Sequence, residues 1–117
     1  MSDRVLCRKG DPCVFVVTVT EGIPAKYTQA KFQARDDFND SGAALLSVDE
    51  LDGIVIDHVD GTATVTIGAT QTQTLTPYNN RPQEVPAMLR LYNPLDAEDR
   101  ISYEIPFVIL PDVIDDD

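Results

Sequence analysis

A chain of 117 residues with 20 acidic and 9 basic side chains, formally −11, is long enough for one ordinary domain and too short for two. At 43 % hydrophobic residues it can close a core without relying on disulfides or a metal. Its charge opposes docking on phosphate backbones or anionic lipid, no apolar run approaches the roughly 18 to 20 residues of a bilayer span, and "MSDRVLC" lacks the features of a secretory leader, so a soluble chain made in the cytoplasm is expected, with neither nucleic acid nor membrane as partner.

The first elements centre on Cys7 and Cys13, which flank "RKGDP". A three-residue loop at Lys9, Gly10 and Asp11 sets the two cysteines opposite one another across a hairpin, within conceivable reach of a disulfide. Cytoplasmic synthesis keeps thiols reduced and two thiols alone make no metal site, so two buried or half-buried free cysteines are expected. "VFVVTVT", Val14 to Thr20, is rich in β-branched residues and reads as a strand with both faces largely covered. Ala30, Phe32 and Ala34 then alternate with Lys31, Gln33 and Arg35, which predicts a strand with one face on the core and one in water. "DDFNDSGA" reads as a loop, and Ala44 to Val48 as a short strand.

"IVIDHVD" lies between Gly53 and Gly61 and predicts another strand, with "HVDG" supplying the Asp-Gly signal of a hairpin turn. In "TATVTIG", Ala63, Val65 and Ile67 share the core face, while Thr62, Thr64 and Thr66 share a face that tolerates solvent. Alternation stops at Gly68, and Ala69 to Leu75 suits one helical turn or a bent connection. "TPYNNRPQEVP" reads as a loop or set of turns. Val85 to Tyr92 is the next strand, with Ala87, Leu89 and Leu91 on one face and Met88, Arg90 and Tyr92 on the other. "NPLDAEDR" reads as a turn, and Ile101 to Phe107 as a strand in which Pro106 marks an edge or a bulge. About seven to eight short strands, one possible short helix and a short acidic tail over 112–117 predict an all-β fold: a single antiparallel β-sandwich of immunoglobulin-like type spanning residues 1–117.

Chemistry is sparse. His58 is the single histidine, and its neighbour Asp57 points to the opposite strand face, so a surface histidine is expected rather than a catalytic one. "DDFNDSG", Asp36 to Gly42, has a faint likeness to a calcium loop but lacks the downstream glutamate. Gly-rich phosphate loops, Gly-x-Ser-x-Gly elbows and Cys-x-x-Cys pairs are absent from the sequence. Tyr78, Tyr92 and Tyr103 read as core or rim aromatics. No catalytic residue, cofactor site or metal site is expected, and the chain reads as a non-enzyme.

The order of segments "RKGDPCVFVVTVTEG", "YTQAKFQARDD", "GIVIDHVDGTATVTIGATQTQTL" and "AMLRLYNPLDAEDRISYEIPFVILPDV" resembles the small β-sandwich domain of tailed-bacteriophage structural proteins, including the N-terminal domain of baseplate upper proteins. Gly10 and Asp11, Thr62 to Leu75, and the Pro111-Asp112-Val113 phrase carry the likeness. The resemblance implies a non-enzymatic virion protein, made in the host cytoplasm, that decorates the head, attaches a fibre or adapts the tail or baseplate. Its partners would be capsid, portal, tail or fibre proteins, and it would be a homo-oligomer within the particle. Tyrosine and arginine are enriched at interface hot spots, so Tyr78 and Arg81, with Asn79 and Asn80 between them, are the expected partner-binding residues. The alternative is a small acidic phage-encoded inhibitor whose carboxylates imitate DNA before a basic host nuclease.

Overall fold

Ten strands and one helical turn follow one another along the chain in a computed structural model that describes residues 4–35, 45–75 and 81–111. They are β1 (Val5–Arg8), β2 (Cys13–Thr18), β3 (Gln29–Ala34), β4 (Leu46–Asp49), β5 (Ile54–Asp57), β6 (Thr62–Ile67), α1 (Ala69–Thr72), β7 (Gln83–Val85), β8 (Ala87–Asn93), β9 (Asp96–Glu104) and β10 (Phe107–Leu110). A four-stranded sheet in the order β4-β3-β8-β9 packs against a three-stranded sheet β2-β6-β5, and a second three-stranded sheet, β1-β10-β7, extends the arrangement. The fold is therefore all-β, a sandwich with one short helix.

Two prolines divide the sheets. The register that pairs Val85 with Phe107 and Met88 with Glu104 sets Pro86 across from Pro106. The β8–β9 hairpin therefore continues outward as the β7–β10 pair, broken on both strands where neither residue can donate to the ladder. At that break the hairpin changes its third partner: Arg35 N–H donates to the Pro86 carbonyl at the end of β3, and Val5 N–H donates to the Pro106 carbonyl at the start of β1. Pro106 thus follows an edge strand, β9, as expected, and marks a hand-over between sheets rather than a bulge.

Several further expectations are corrected. The segment after Cys7 does not form a hairpin, because β1 pairs in parallel with β10 while β2 pairs antiparallel with β6. The sandwich is thus not wholly antiparallel. A turn closed by Asp11 N–H on the Arg8 carbonyl, with Gly10 at φ 88°, carries the chain from one sheet to the other. The loop read over "TPYNNRPQEVP" contains a strand, β7, which pairs with β10. The turn read over "NPLDAEDR" shrinks to Pro94 and Leu95, since β9 starts at Asp96.

The core is built where the three sheets meet. Phe15 of β2, Phe32 of β3 and Phe107 of β10 converge, with Phe32 ring centroids 5.2 Å from Phe15 and 5.5 Å from Phe107. Leu89, Leu91, Val65 and Ile67 close around them, all fully buried. Beyond β6 the alternation ends in the helical turn α1. It buries Thr72, whose hydroxyl hydrogen is shared between the carbonyls of Asp11 (2.9 Å) and Ala69 (3.1 Å) and so ties the exit of β6 to the β1–β2 turn.

Candidate functional site

The outer face of the β2-β6-β5 sheet follows from strand register. On β2 the core side holds Cys13, Phe15 and Val17, which leaves Val14, Val16 and Thr18 pointing outward. On β6 the outward residues are Thr62, Thr64 and Thr66, and on β5 they are Val55 and Asp57. Pairing aligns them in rows: Val14 beside Thr66, then Val16, Thr64 and Val55 abreast, then Thr18, Thr62 and Asp57. Val14, Val16 and Val55 are 61 %, 55 % and 68 % exposed. The strand read from "VFVVTVT" as covered on both faces is covered on one.

A single exposed valine needs no explanation, but three in adjoining rows do. In a chain of charge −11, this face carries one charged residue, Asp57, at its corner. That carboxylate is already engaged, since its Oδ1 accepts the backbone N–H groups of Val59 and Asp60 in the β5–β6 turn. Val59 and Leu51, in the turns at either end of β5, are also largely exposed. Two strands of six residues and one of four, about 4.8 Å apart, make a face on the order of 250 Å², the size of the dry centre of an interface rather than of a whole one. Covering the three valines would contribute about 1 kcal/mol each, enough to anchor a docking surface and too little to hold one alone.

Of the residues expected to bind partners, Tyr78, Asn79 and Asn80 lie outside the described residues, as does the faint calcium-like stretch from Asp36 to Gly42. Arg81 is exposed just ahead of β7. The geometry does not bring Arg81 into the valine face. Sequence reasoning missed Val14, Val16 and Val55, although one signal was present. Once Thr64 is placed on the solvent side, whatever pairs with it shares that side, but the pairing itself cannot be read from one sequence.

Elsewhere several polar groups are tied into structure. His58 Nε2 donates to the Tyr27 carbonyl at 2.9 Å. Asp99 accepts from the Tyr27 hydroxyl at 2.6 Å, the Lys26 ammonium at 2.9 Å and the Asn93 amide at 3.2 Å, and these donors, Tyr27 foremost, hold its carboxyl down at about 2. The same hydrogen bond to Asp99 raises the Tyr27 phenol. Cys7 and Cys13 are both free and buried. The Cys7 thiol is pushed up by hydrogen bonding to Cys13 and by burial, and Cys13 is lowered as the acceptor of that bond. Tyr92 and Tyr103 are both half-buried, in β8 and β9. Among the described residues, no three His, Cys, Asp or Glu side chains cluster to hold a metal, and no helix is long and apolar enough to cross a membrane.

No protein-family model matches the chain, and no curated protein does. Among solved structures, the chain is similar to the first Ig-like domain of human CD48 antigen, at 12 % identity and a TM-score of 0.37, over 96 % of this chain and 86 % of that one. The β-sandwich stands on the strand pairing described above and not on this likeness.

Proposed function

We propose that the chain is a non-enzymatic structural protein of a tailed-bacteriophage particle, docking on a neighbouring virion protein through the outer face of β2-β6-β5, which is charged only at its Asp57 corner. The phage context comes from the order of segments in the sequence. One observation carries the docking surface: Val14, Val16 and Val55 stand exposed in two adjoining rows, between threonines, in a strongly acidic chain. Valine and threonine are stiff at χ1, so such a face loses little side-chain entropy when covered, and it presents no charge to desolvate at its centre. Carboxylates elsewhere on the surface keep free copies soluble and penalise acidic competitors at long range.

Mass spectrometry of purified particles tests the reading. The chain is expected at stoichiometric copy number, and Val16→Lys, supplied in place of the native chain, is expected to fold normally and be lost from the particle. An acidic inhibitor of a host nuclease would instead be missing from particles in both forms. Absence of the native chain, or undiminished incorporation of Val16→Lys, would overturn the proposal.

A further inference from the structure

The outer face of the other sheet has the opposite chemistry. Lys31 and Arg35 of β3 and its end, with Arg90 of β8, line a groove of about 320 Å³ together with Gln33, Met88 and Tyr92. Nine basic residues serve the whole chain, and three of them converge here. Register sets Lys31 directly opposite Arg90, a like-charge cross-strand pair of the kind that destabilises a sheet. Among the described residues, the ion pairs are Arg4 with Glu84 and Lys26 with Asp99, so neither Lys31 nor Arg90 has a carboxylate within ion-pair distance. The carboxylate across the ladder from Lys31, Asp49, caps its own turn by accepting Leu51 N–H at 2.8 Å. Arg90 is meanwhile oriented: its Nε donates to Ser102 Oγ at 2.8 Å and one terminal nitrogen approaches Met88 Sδ at 3.6 Å. A guanidinium fixed in this way loses little freedom on meeting a planar anion.

We infer that this groove binds an aspartate- or glutamate-rich segment of a partner protein, with Arg90 and Lys31 taking its carboxylates and Tyr92 flanking the peptide. Charge complementarity selects the occupant: the groove concentrates cations in a chain that is otherwise acidic. An extended nucleic-acid backbone fits less well, because a long polyanion would run past a groove of this size onto the surface of a chain of net charge −11, whereas a short acidic segment ends within it. The inference is independent of the valine face, which lies on the other sheet.

The test follows backbone amide resonances of the full chain during titration with an acetylated, amidated tri-aspartate peptide, the matching tri-asparagine peptide, and inorganic phosphate. Saturable shifts confined to β3, β8 and β9 are expected with tri-aspartate and not with tri-asparagine. Affinity should fall at least about tenfold in Lys31→Gln combined with Arg90→Gln, and measurably in exposed Lys31→Gln alone, with spectra otherwise unchanged. Several results would overturn the inference: no saturable shift, a shift that survives both substitutions, or phosphate binding as tightly as the peptide. Self-association that tri-aspartate reverses would place the acidic segment in a second copy and overturn the assignment to a partner.

Discussion

Truncating Phe32 to alanine tests whether the three sheets form one cooperative unit. The ring is fully buried, so its removal forfeits roughly 2 to 3 kcal/mol of transfer free energy. It also abolishes two aromatic contacts, edge-on to Phe15 at 5.2 Å and tilted on Phe107 at 5.5 Å, each worth about 0.5 to 1.5 kcal/mol. Partial collapse of the cavity offsets some of this, and a net loss of about 4 kcal/mol is expected, within the usual span for a core phenylalanine. Against a stability of roughly 5 to 15 kcal/mol for a domain, the substitution consumes a large share. The chain has no tryptophan and four tyrosines, so urea unfolding is best followed by tyrosine emission alongside far-ultraviolet circular dichroism. Both signals should move together to lower urea with an unchanged slope. Phe32→Ala and Phe107→Ala should be less damaging together than the sum of the two, because they share one contact and one cavity. A loss below about 1 kcal/mol, separate transitions for the two signals, or strict additivity would refute the convergence of the sheets on these rings.

Three further outcomes are expected. Gly61 sits at φ 69°, and a Cβ there would lie 2.8 Å from the Val19 carbonyl oxygen, so Gly61→Ala should cost about 1 to 3 kcal/mol in a thermal melt, and a neutral result would contradict the turn geometry. Thr72→Val keeps the shape but leaves the Asp11 carbonyl without its donor, a loss of about 1 kcal/mol that Thr72→Ser should largely avoid in the same urea assay. The Asp99 carboxyl is depressed in the folded chain, so its contribution is fully present above the ordinary carboxylate pKa of about 4 and is lost as pH falls through about 2; Asp99→Asn should flatten that part of the stability-versus-pH curve, and an unchanged curve would refute the cluster.

The layering was legible wherever a strand had one wet face. Ala30, Phe32 and Ala34 point inward as their alternation with Lys31, Gln33 and Arg35 requires, and Ala63, Val65 and Ile67 do the same opposite the threonines. The break at Gly68 was legible as well, since α1 is the single helical turn that a loss of period-two pattern allowed. What remained hidden depends on pairing. Nothing local to Cys7 says that β1 takes β10 as its neighbour, with Cys7 opposite Ile109, instead of folding back on β2. Likewise, Pro86 and Pro106 are separate interruptions in the sequence and become a single hinge only when register puts them across from one another.

The same dependence on register explains why both candidate surfaces escaped the sequence. A valine in a β-rich run is equally at home under a second layer or in water, because β-propensity measures fit to a pleated surface rather than burial. Val16 becomes informative only beside Thr64 and Val55, and Arg90 only beside Lys31. Each arrangement is costly or idle in the isolated chain: an apolar face, charged only at its Asp57 corner, wetted by solvent on one sheet, and two cations directly opposite one another, neither in an ion pair among the described residues, on the other. Folding alone does not require either, since threonine at the three valine positions, or glutamine at position 31, would satisfy the same strands. Features that the fold does not need, and that a bound neighbour would relieve, are where selection for binding leaves its mark. On that reasoning, Val14→Thr combined with Val16→Thr and Val55→Thr should leave the unfolding free energy within about 1 kcal/mol of the native value while weakening docking; a large loss of stability would mean that the valines serve the sandwich itself.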